Sequence, residues 1–409
     1  MLSVSEARAA ILARVAPLPP VRQELDDALG RVLAGDAVSA VTIPPFANSA
    51  MDGFAVRAAD CITASEQSPV ILRVIEDLPA GRVAAFAVTA GAALRIMTGA
   101  PVPAGADAVV PVELTSMSSL DVVLTRPVPM GANLREAGED VRAGECVVAA
   151  GTVLRAAELG VLASIGMVSV AVVPAPRVAL VTTGDELVDA ATIPGPGQIR
   201  DSNMYSLTAQ VRLAGGVPVR YPRIEDRLEA MIDVFRAARA GADVIVTNGA
   251  VSVGDYDFVK PALAALGADQ VFWKVAQKPG KPLAFWLFDG VPVFGAPGNP
   301  VSAMVCFEEY VRPALRSLGG FGLLHRPEVV ARLDGGYRKA SADGKQHFAR
   351  VVATETGAGW VARSTGAQGS GILSSMVRAN ALALIPPETV ELPAGASVML
   401  HLIDQPEDH

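Results

Sequence analysis

The chain has 409 residues, 51% of them hydrophobic and 19% charged, with a formal net charge of −8. That length predicts about two to four domains with ample material for real cores, and the acidic balance argues against a general nucleic-acid binder, which needs a basic face. The longest apolar runs stay well short of the roughly 18 residues a membrane span requires, and Met1-Leu2-Ser3-Val4-Ser5-Glu6 lacks the basic start and apolar stretch of a signal peptide. Cys61, Cys146 and Cys306 lie far apart and form no CxxC, which fits a reducing cytoplasm and supports neither a zinc site nor a disulfide framework. The four histidines, His325, His347, His401 and His409, are scattered over the last quarter, so a histidine-based metal or nucleophile site is disfavoured. Catalysis is expected from Asp, Glu, Lys, Arg, Ser and backbone groups.

In chain order, Ser3-Val4-Ser5-Glu6 reads as a capping box opening a helix with Ile11, Leu12 and Val15 on one face. Residues 21–35 offer a second helix, stopped near Gly30 or Gly35, before Pro44-Pro45 breaks the pattern. Residues 46–145 carry short strand-like runs, among them Val70-Ile71-Leu72 and Val122-Val123-Leu124, and read as a separate, mostly β module. Residues 146–176 mix a strand, a helix from Ala156 to Ile165 and another strand, ending at Pro174-Ala175-Pro176. From Arg177 the pattern alternates strand, loop and helix: strands at 178–182, 217–221, 244–247 and 291–294, helices at 204–214, 228–240, 257–266 and 301–318. That alternation predicts βαβ units and a parallel sheet over 177–326. Residues 327–409 return to short strands and read as a small C-terminal β domain.

Ligands of open parallel sheets lie beyond the carboxyl ends of the strands. Three loops occupy that edge: Thr182 to Leu187, Thr247 to Asp257, and Gly295 to Ser302. The second and third lead into helices, whose free N–H groups suit a phosphate. Their glycines, including Gly249 and Gly254, let backbone approach a ligand; Ser252 and Ser302 add hydroxyls, and Asn299 lies in the third loop. Ordinary βα turns would look the same one at a time; three on one edge favour a binding site. Lys274 and the run Gln277-Lys278-Pro279-Gly280-Lys281-Pro282 add ammonium groups that suit a tetrahedral oxyanion or phosphate, though a charged hairpin reads the same way. Asp52, Asp140, Asp185, Glu186, Asp226 and Asp257 sit in loops or at element ends, where turn chemistry alone often places Asp. The residues themselves do not choose among these carboxylates.

The segments Asn48 to Ala55, Ile96 to Pro101, Gly138-Glu139-Asp140, Thr183 to Leu187, Gly249 to Asp257, Lys278 to Pro282 and Pro297 to Ser302 together resemble the molybdopterin molybdenumtransferase family. That family is called MoeA in bacteria and is related to the E domain of gephyrin. The resemblance covers essentially the whole chain in the family's order. It implies a multidomain α/β plus β protein: an elongated helical linker region (1–45 and 146–176), an inserted mostly-β domain (46–145), a central molybdopterin-binding α/β domain with a βαβ parallel sheet (177–326) and a small C-terminal β-barrel (327–409). The implied reaction inserts molybdate into adenylylated molybdopterin, with Mg²⁺, and releases AMP. The implied state is a cytoplasmic homodimer whose active site joins one chain's α/β domain to the partner's inserted domain. Transient contacts with the adenylyltransferase and with molybdoenzyme chaperones are implied as well; nucleic acid and membrane are not.

By motif matching, Asp52, Thr98, Asp140, Glu186, Asp226 and Asp257 are the implied catalytic set, with Asp226, Asp257 and Glu186 as Mg²⁺ ligands. Lys274, Lys278, Lys281, Arg350 and Ser370 are implied to hold molybdate or the pterin phosphate, with Pro297 and Pro300 shaping their loop. Two departures stand out: Ala250 follows Gly249 where the family often has a second glycine, and Phe54 replaces a common Tyr. The competing readings are the adenylyltransferase, which resembles residues 177–320 alone, a non-enzymatic gephyrin-like scaffold, and a tungstate-preferring paralogue.

Overall fold

The computed structural model describes residues 1–224, 227–249 and 258–404. The chain divides into two compact units. One comprises residues 1–22, 30–34 and 171–409, the other residues 23–29 and 35–170.

The second unit is built on a six-stranded sheet in the order Ala108–Pro111, Gly53–Val56, Ala92–Ile96, Val70–Leu78, Asp121–Leu124, Thr115–Ser118. Successive strand residues point to opposite faces. Phe54 and Val56 therefore join Leu72, Val122 and Leu124 in one core, while Ala55 joins Leu78, Leu94, Ile96 and Val109 in another. Phe54 is fully buried. Gly53 lies directly against the Val110 backbone, where any Cβ would collide. Helix Ala156–Ser164 forms as the sequence predicts. The helix expected over 21–35 does not. Val21–Glu24 is a strand, Leu25–Asp27 a single 3₁₀ turn and Val32–Leu33 a strand. Leu25, Ala28, Leu29, Val32 and Leu33 have helical spacing, but Gly30 turns the chain at φ +73 and Val32 and Leu33 pair with Val173 and Val172.

The first unit holds a six-stranded sheet in the order Val217–Arg220, Arg177–Thr182, Val244–Asn248, Val291–Ala296, Ala284–Phe288, Asp269–Trp273. The first four strands run parallel, as expected. The last two are antiparallel additions at one edge that the sequence reading missed, so the sheet is mixed. Both faces are covered. Val178, Leu180, Val246 and Phe294 pack towards Val211, Val305 and Leu315, and Ala179, Val181, Ile245 and Val293 towards Met231, Phe235 and Leu263. Strands buried on both sides lose the in–out alternation, which is why they read as continuous apolar runs. Helix Val4–Leu12 has the predicted capping box, with the Ser3 hydroxyl accepting from the Glu6 N–H and the Glu6 carboxylate from the Ser3 N–H. The helix expected over 301–318 is interrupted: Pro300–Cys306 and Arg312–Leu318 are α-helical, and Phe307–Val311 is a π turn between them.

In the same unit, strands Gln346–Thr356, Gly359–Ser364, Glu328–Leu333, Ser397–Leu402 and Ala381–Ile385 pair in that order, and Ala381–Ile385 pairs back onto Gln346–Thr356. This closes a five-stranded barrel. Its interior is narrow, so small side chains fill it: Ala331, Ala349, Ala353, Ala362, Ala381 and Ala383 beside Val351 and Leu400. Gln277–Lys278 adds in parallel to Gln346 and His347, which joins the loop following the mixed sheet's edge strand to the barrel. At the edge of the barrel, His401 bonds Glu328 on the adjacent strand at 3.2 Å and Glu309 of the π turn at 2.9 Å, and Arg8 donates to Glu309. Among the described residues, no helix is long and apolar enough to cross a membrane.

Candidate functional site

The carboxyl ends of the parallel strands carry a buried polar network. Thr182 donates to Asp201 Oδ2 at 2.8 Å, and Asp201 Oδ1 accepts the Met204 N–H at 2.9 Å. Asn203 Nδ2 donates to Asn248 Oδ1 at 2.6 Å and to the Gly298 carbonyl at 2.7 Å. Asn248 Nδ2 donates in turn to the Pro297 carbonyl at 2.7 Å. The network ties the ends of two neighbouring strands to the turn at Pro297-Gly298. Gly249 has φ +95, and a Cβ on it would lie 2.7 Å from the Thr183 carbonyl oxygen, so the loops meet there backbone to backbone. The sequence reading missed Asp201 and Asn203. Their signal was the Asp201-Ser202-Asn203 run at a helix start, which reads as ordinary capping.

Beside this edge lies a cavity of about 670 Å³, within the range of small-molecule sites. Of the predicted binding residues, it is lined by Lys278, Lys281, Pro297, Asn299, Ser302, Arg350 and Ser370. The structure thus brings together three segments far apart in sequence. The turn at Gly280 (φ +90) packs so closely on Gln277 and Cys306 that a Cβ there would meet Gln277 Nε2 at 2.6 Å. Gln277 is itself buried and accepts from the Tyr310 hydroxyl. Arg350 is almost fully buried; Nε donates to Ser375 at 3.0 Å and Nη2 to the Gly369 carbonyl at 3.0 Å. Burial lowers the Arg350 pKa, opposed by Tyr337. The Ser370 carbonyl accepts the Val301 N–H at 3.1 Å, tying the barrel loop to the helix start.

Sequence reasoning missed the other wall, residues 337–347. Tyr337, Arg338, Lys339, Lys345 and His347 all line the cavity. Lys339 is buried, and its ammonium donates to the carbonyls of Lys345 at 2.9 Å, Pro386 at 2.6 Å and Pro387 at 3.1 Å. The available signal was basic density without a motif, Arg338-Lys339 and Lys345-Gln346-His347 in one short stretch. Among the described residues, six Lys or Arg side chains line this cavity and no Asp or Glu does. In a chain of net charge −8 that concentration selects an anion.

The remaining predicted residues lie elsewhere. Lys274 does not line the cavity; it has φ +73 and its ammonium stacks 3.9 Å over the Trp273 ring. Pro300 opens helix Pro300–Cys306 at its first position, and Gly249 lies at the strand edge. Ser252, Gly254, Asp226 and Asp257 lie outside the described residues. Glu186 is exposed, with its carboxylate folded against Gly184. Among the described residues no group of three or more His, Cys, Asp or Glu is arranged to hold a metal.

In the other unit, Asp52 and Thr98 come together. Gly53 pairs with Ile96 in antiparallel register, which sets Asp52 beside the turn after that strand. Asp52 Oδ1 accepts both the Thr98 N–H and its hydroxyl at 2.7 Å each. These bonds, the backbone one foremost, lower the Asp52 pKa and hold the exposed carboxylate ionised. Asp140 is exposed in a separate turn, its N–H bonded to the Ile43 carbonyl at 3.1 Å.

An anion cavity at the strand edge and a paired Asp–Thr in the smaller unit are the two features the motif residues build. The chain matches three family models: the MoeA N-terminal region (domain I and II) over residues 2–166, a probable molybdopterin binding domain over 179–317, and the MoeA C-terminal region (domain IV) over 336–403. It is 39% identical over 405 residues to molybdopterin molybdenumtransferase 2 of Mycobacterium tuberculosis, covering 98% of this chain and 99% of that one. The chain belongs to the molybdopterin molybdenumtransferase family. A second family member, from Nostoc, is 37% identical over 91% of this chain and 86% of its own. The MoeA crystal structure from Pyrococcus horikoshii OT3 superposes with a TM-score of 0.80 at 31% identity, covering 98% of this chain and 100% of that one. The family matches extend across both units. That disfavours the adenylyltransferase reading, which resembles the central α/β segment alone.

Proposed function

We propose that this chain transfers molybdenum from molybdate to molybdopterin. The observation that carries the reading is the cavity between the Gln277–Pro282 loop, the Pro297–Ser302 turn and the barrel, lined by six cationic side chains and, among the described residues, by no carboxylate. Such a site holds a tetrahedral oxyanion or a phosphate by charge and by N–H donors. Lys278, Lys281 and Arg350 supply the charge, and Asn299, Ser302 and Ser370 the polar contacts. The pterin itself is assigned to the strand edge beside the cavity, next to the close-packed backbone of Gly249 and Thr183.

The full reaction in this reading takes adenylylated molybdopterin and releases AMP. Asp52 and Thr98 orient the attacking water, and Asp140, Glu186, Asp226 and Asp257 complete the polar set. Magnesium enters this proposal by family resemblance alone, with Glu186, Asp226 and Asp257 as its ligands. When bound, it would neutralise charge on the phosphoanhydride. The same resemblance supports a homodimer in which Asp52 acts on pterin held by the second copy, a four-part domain division, and a cytoplasmic setting. The free cysteines Cys61, Cys146 and Cys306 are compatible with that setting.

The test is to incubate purified protein with adenylylated molybdopterin and Mg²⁺, with and without molybdate, and to follow AMP. Release that depends on the protein and is stimulated by molybdate supports insertion. AMP release indifferent to molybdate would point to a hydrolase, and none at all would remove the adenylate from the reaction.

A further inference from the structure

The wall formed by residues 337–347 does more than add charge. Tyr337 and His347 both line the cavity. His347 is 4% exposed, and both its ring nitrogens are engaged: Nε2 lies 3.0 Å from Asp343 Oδ2 and Nδ1 2.9 Å from the Tyr337 hydroxyl. Burial acts to raise the Asp343 pKa, but hydrogen bonds from His347 and the Lys345 N–H prevail and hold it at about 2. An ionised carboxylate only accepts, so Nε2 carries a hydrogen. In the neutral ring Nδ1 is then an acceptor, and it takes the Tyr337 O–H. Tyr337 lines the cavity, and with its hydrogen committed to Nδ1 its oxygen has only lone pairs to offer. Lys339 is similarly committed, its ammonium bonded to three carbonyls, so it offers the cavity charge without a free donor.

A tetrahedral dianion without hydrogens presents acceptors only. Against neutral His347 it meets a lone pair on Tyr337. Protonating Nδ1 reverses the bond: the ring donates to the Tyr337 oxygen, and the phenolic O–H swings free to donate into the cavity. We propose that His347 couples binding of a fully deprotonated tetrahedral oxyanion to uptake of one proton, with Tyr337 switching from acceptor to donor. The proton comes from solvent and rests on Nδ1, the Tyr337 O–H bond stays intact, and no covalent bond forms. The inference rests on the anion role proposed above for this cavity.

The surroundings set the sign. Lys278 pairs beside His347 from the neighbouring strand, and Ile385 from the other side. Arg350 follows on its own strand, and Tyr337, Lys339, Asp343 and Lys345 face it from the loop. Burial lowers the imidazole pKa, Asp343 opposes this, and Lys339 and Lys278 lower it further. The ring is therefore neutral near neutral pH before an anion arrives. An arriving dianion offsets the field of those ammonium groups and raises the imidazole pKa. By reciprocity the proton raises anion affinity by the same factor. Affinity therefore strengthens as pH falls between the imidazole pKa of the complex and that of the free protein, by up to about tenfold per pH unit.

The experiment is isothermal titration of the full-length protein with sodium molybdate at about pH 6 to about pH 8, the range in which histidine titrates. It is run in buffers of differing ionisation enthalpy, so that proton uptake is read directly. Sodium sulfate, which carries no proton anywhere in that range, controls for protonation of molybdate itself. The expected result is uptake approaching one proton per anion for both salts. His347→Gln should bind with no proton uptake and a flat pH profile, whereas Tyr337→Phe, which keeps the imidazole but has no hydroxyl to turn into the cavity, should bind more weakly and with less uptake than the wild type. Tyr337→Phe removes a single oxygen and guards against a folding artefact in the buried histidine variant. Wild-type binding without proton uptake, uptake that persists in His347→Gln, or wild-type affinity and uptake in Tyr337→Phe would overturn the proposal. Failure of the wild type to bind either anion would overturn the anion role of the cavity, and the coupling with it.

Discussion

Replacing Asn248 by alanine should loosen the edge on which the site is built. Asn248 is 2% exposed and links Asn203 to the Pro297 carbonyl through bonds of 2.6 and 2.7 Å. Alanine strands the buried Pro297 carbonyl, which costs about 1–3 kcal/mol. Asn203 keeps its bond to the Gly298 carbonyl but loses its second partner, a further loss of about 0.5–1.5 kcal/mol. The combined destabilisation is roughly 2–4 kcal/mol. All three tryptophans, Trp273, Trp286 and Trp360, lie in the same unit as Asn248, so urea unfolding followed by tryptophan fluorescence reports on that unit. Because Pro297 and Asn299 line the cavity, anion affinity should fall along with the unfolding midpoint. A shift below about 0.5 kcal/mol, the size of an ordinary surface substitution, would refute the view that this network holds the turn.

Asp52→Asn should abolish turnover and leave the unfolding midpoint unchanged, since the side chain is exposed. Thr98→Val keeps the backbone donor and loses the hydroxyl, so the Asp52 pKa rises towards its ordinary value. The acid limb of the pH–rate profile should then move to higher pH, and an unmoved limb would remove Asp52 from it. Gly249→Ala places a Cβ 2.7 Å from the Thr183 carbonyl oxygen at φ +95. It should cost about 1–3 kcal/mol and weaken pterin binding, measured by unfolding and by fluorescence titration with molybdopterin.

Local signals in the sequence carried much of this. The Ser3–Glu6 capping box is a reciprocal pair of bonds within one turn, so four residues contain all the information. The strands at 178–182 and 244–248 are buried on both faces, and that condition marks each strand by itself. Pairing is different. Residues 21–35 have helical spacing, yet the strand Val32–Leu33 is decided by Val172 and Val173, more than a hundred residues away. The antiparallel strands Asp269–Trp273 and Ala284–Phe288 were missed although they are neighbours in sequence, paired with each other and, for Ala284–Phe288, with Val291–Ala296. The site divides along the same line. Lys278, Lys281 and Asn299 sit in glycine- and proline-marked loops and were legible. Tyr337, Lys339 and His347 were not, because the barrel brings them to the cavity only after Gln346 and His347 pair with Gln277 and Lys278. Scattered histidines gave no reason to single out His347; its role follows from Asp343 and Tyr337, whose approach only the folded loop reveals.

The measurement that bears most directly on the central claim is the yield of molybdenum cofactor from adenylylated molybdopterin, Mg²⁺ and limiting molybdate. The wild type is compared with Lys278→Ala/Lys281→Ala, and the product is scored by activation of a cofactor-free molybdoenzyme. The account predicts protein-dependent cofactor formation by the wild type. It predicts that the double variant needs a much higher molybdate concentration, while its unfolding midpoint stays unchanged because both lysines are exposed. No cofactor from the wild type, or an identical molybdate dependence in the two proteins, would contradict it.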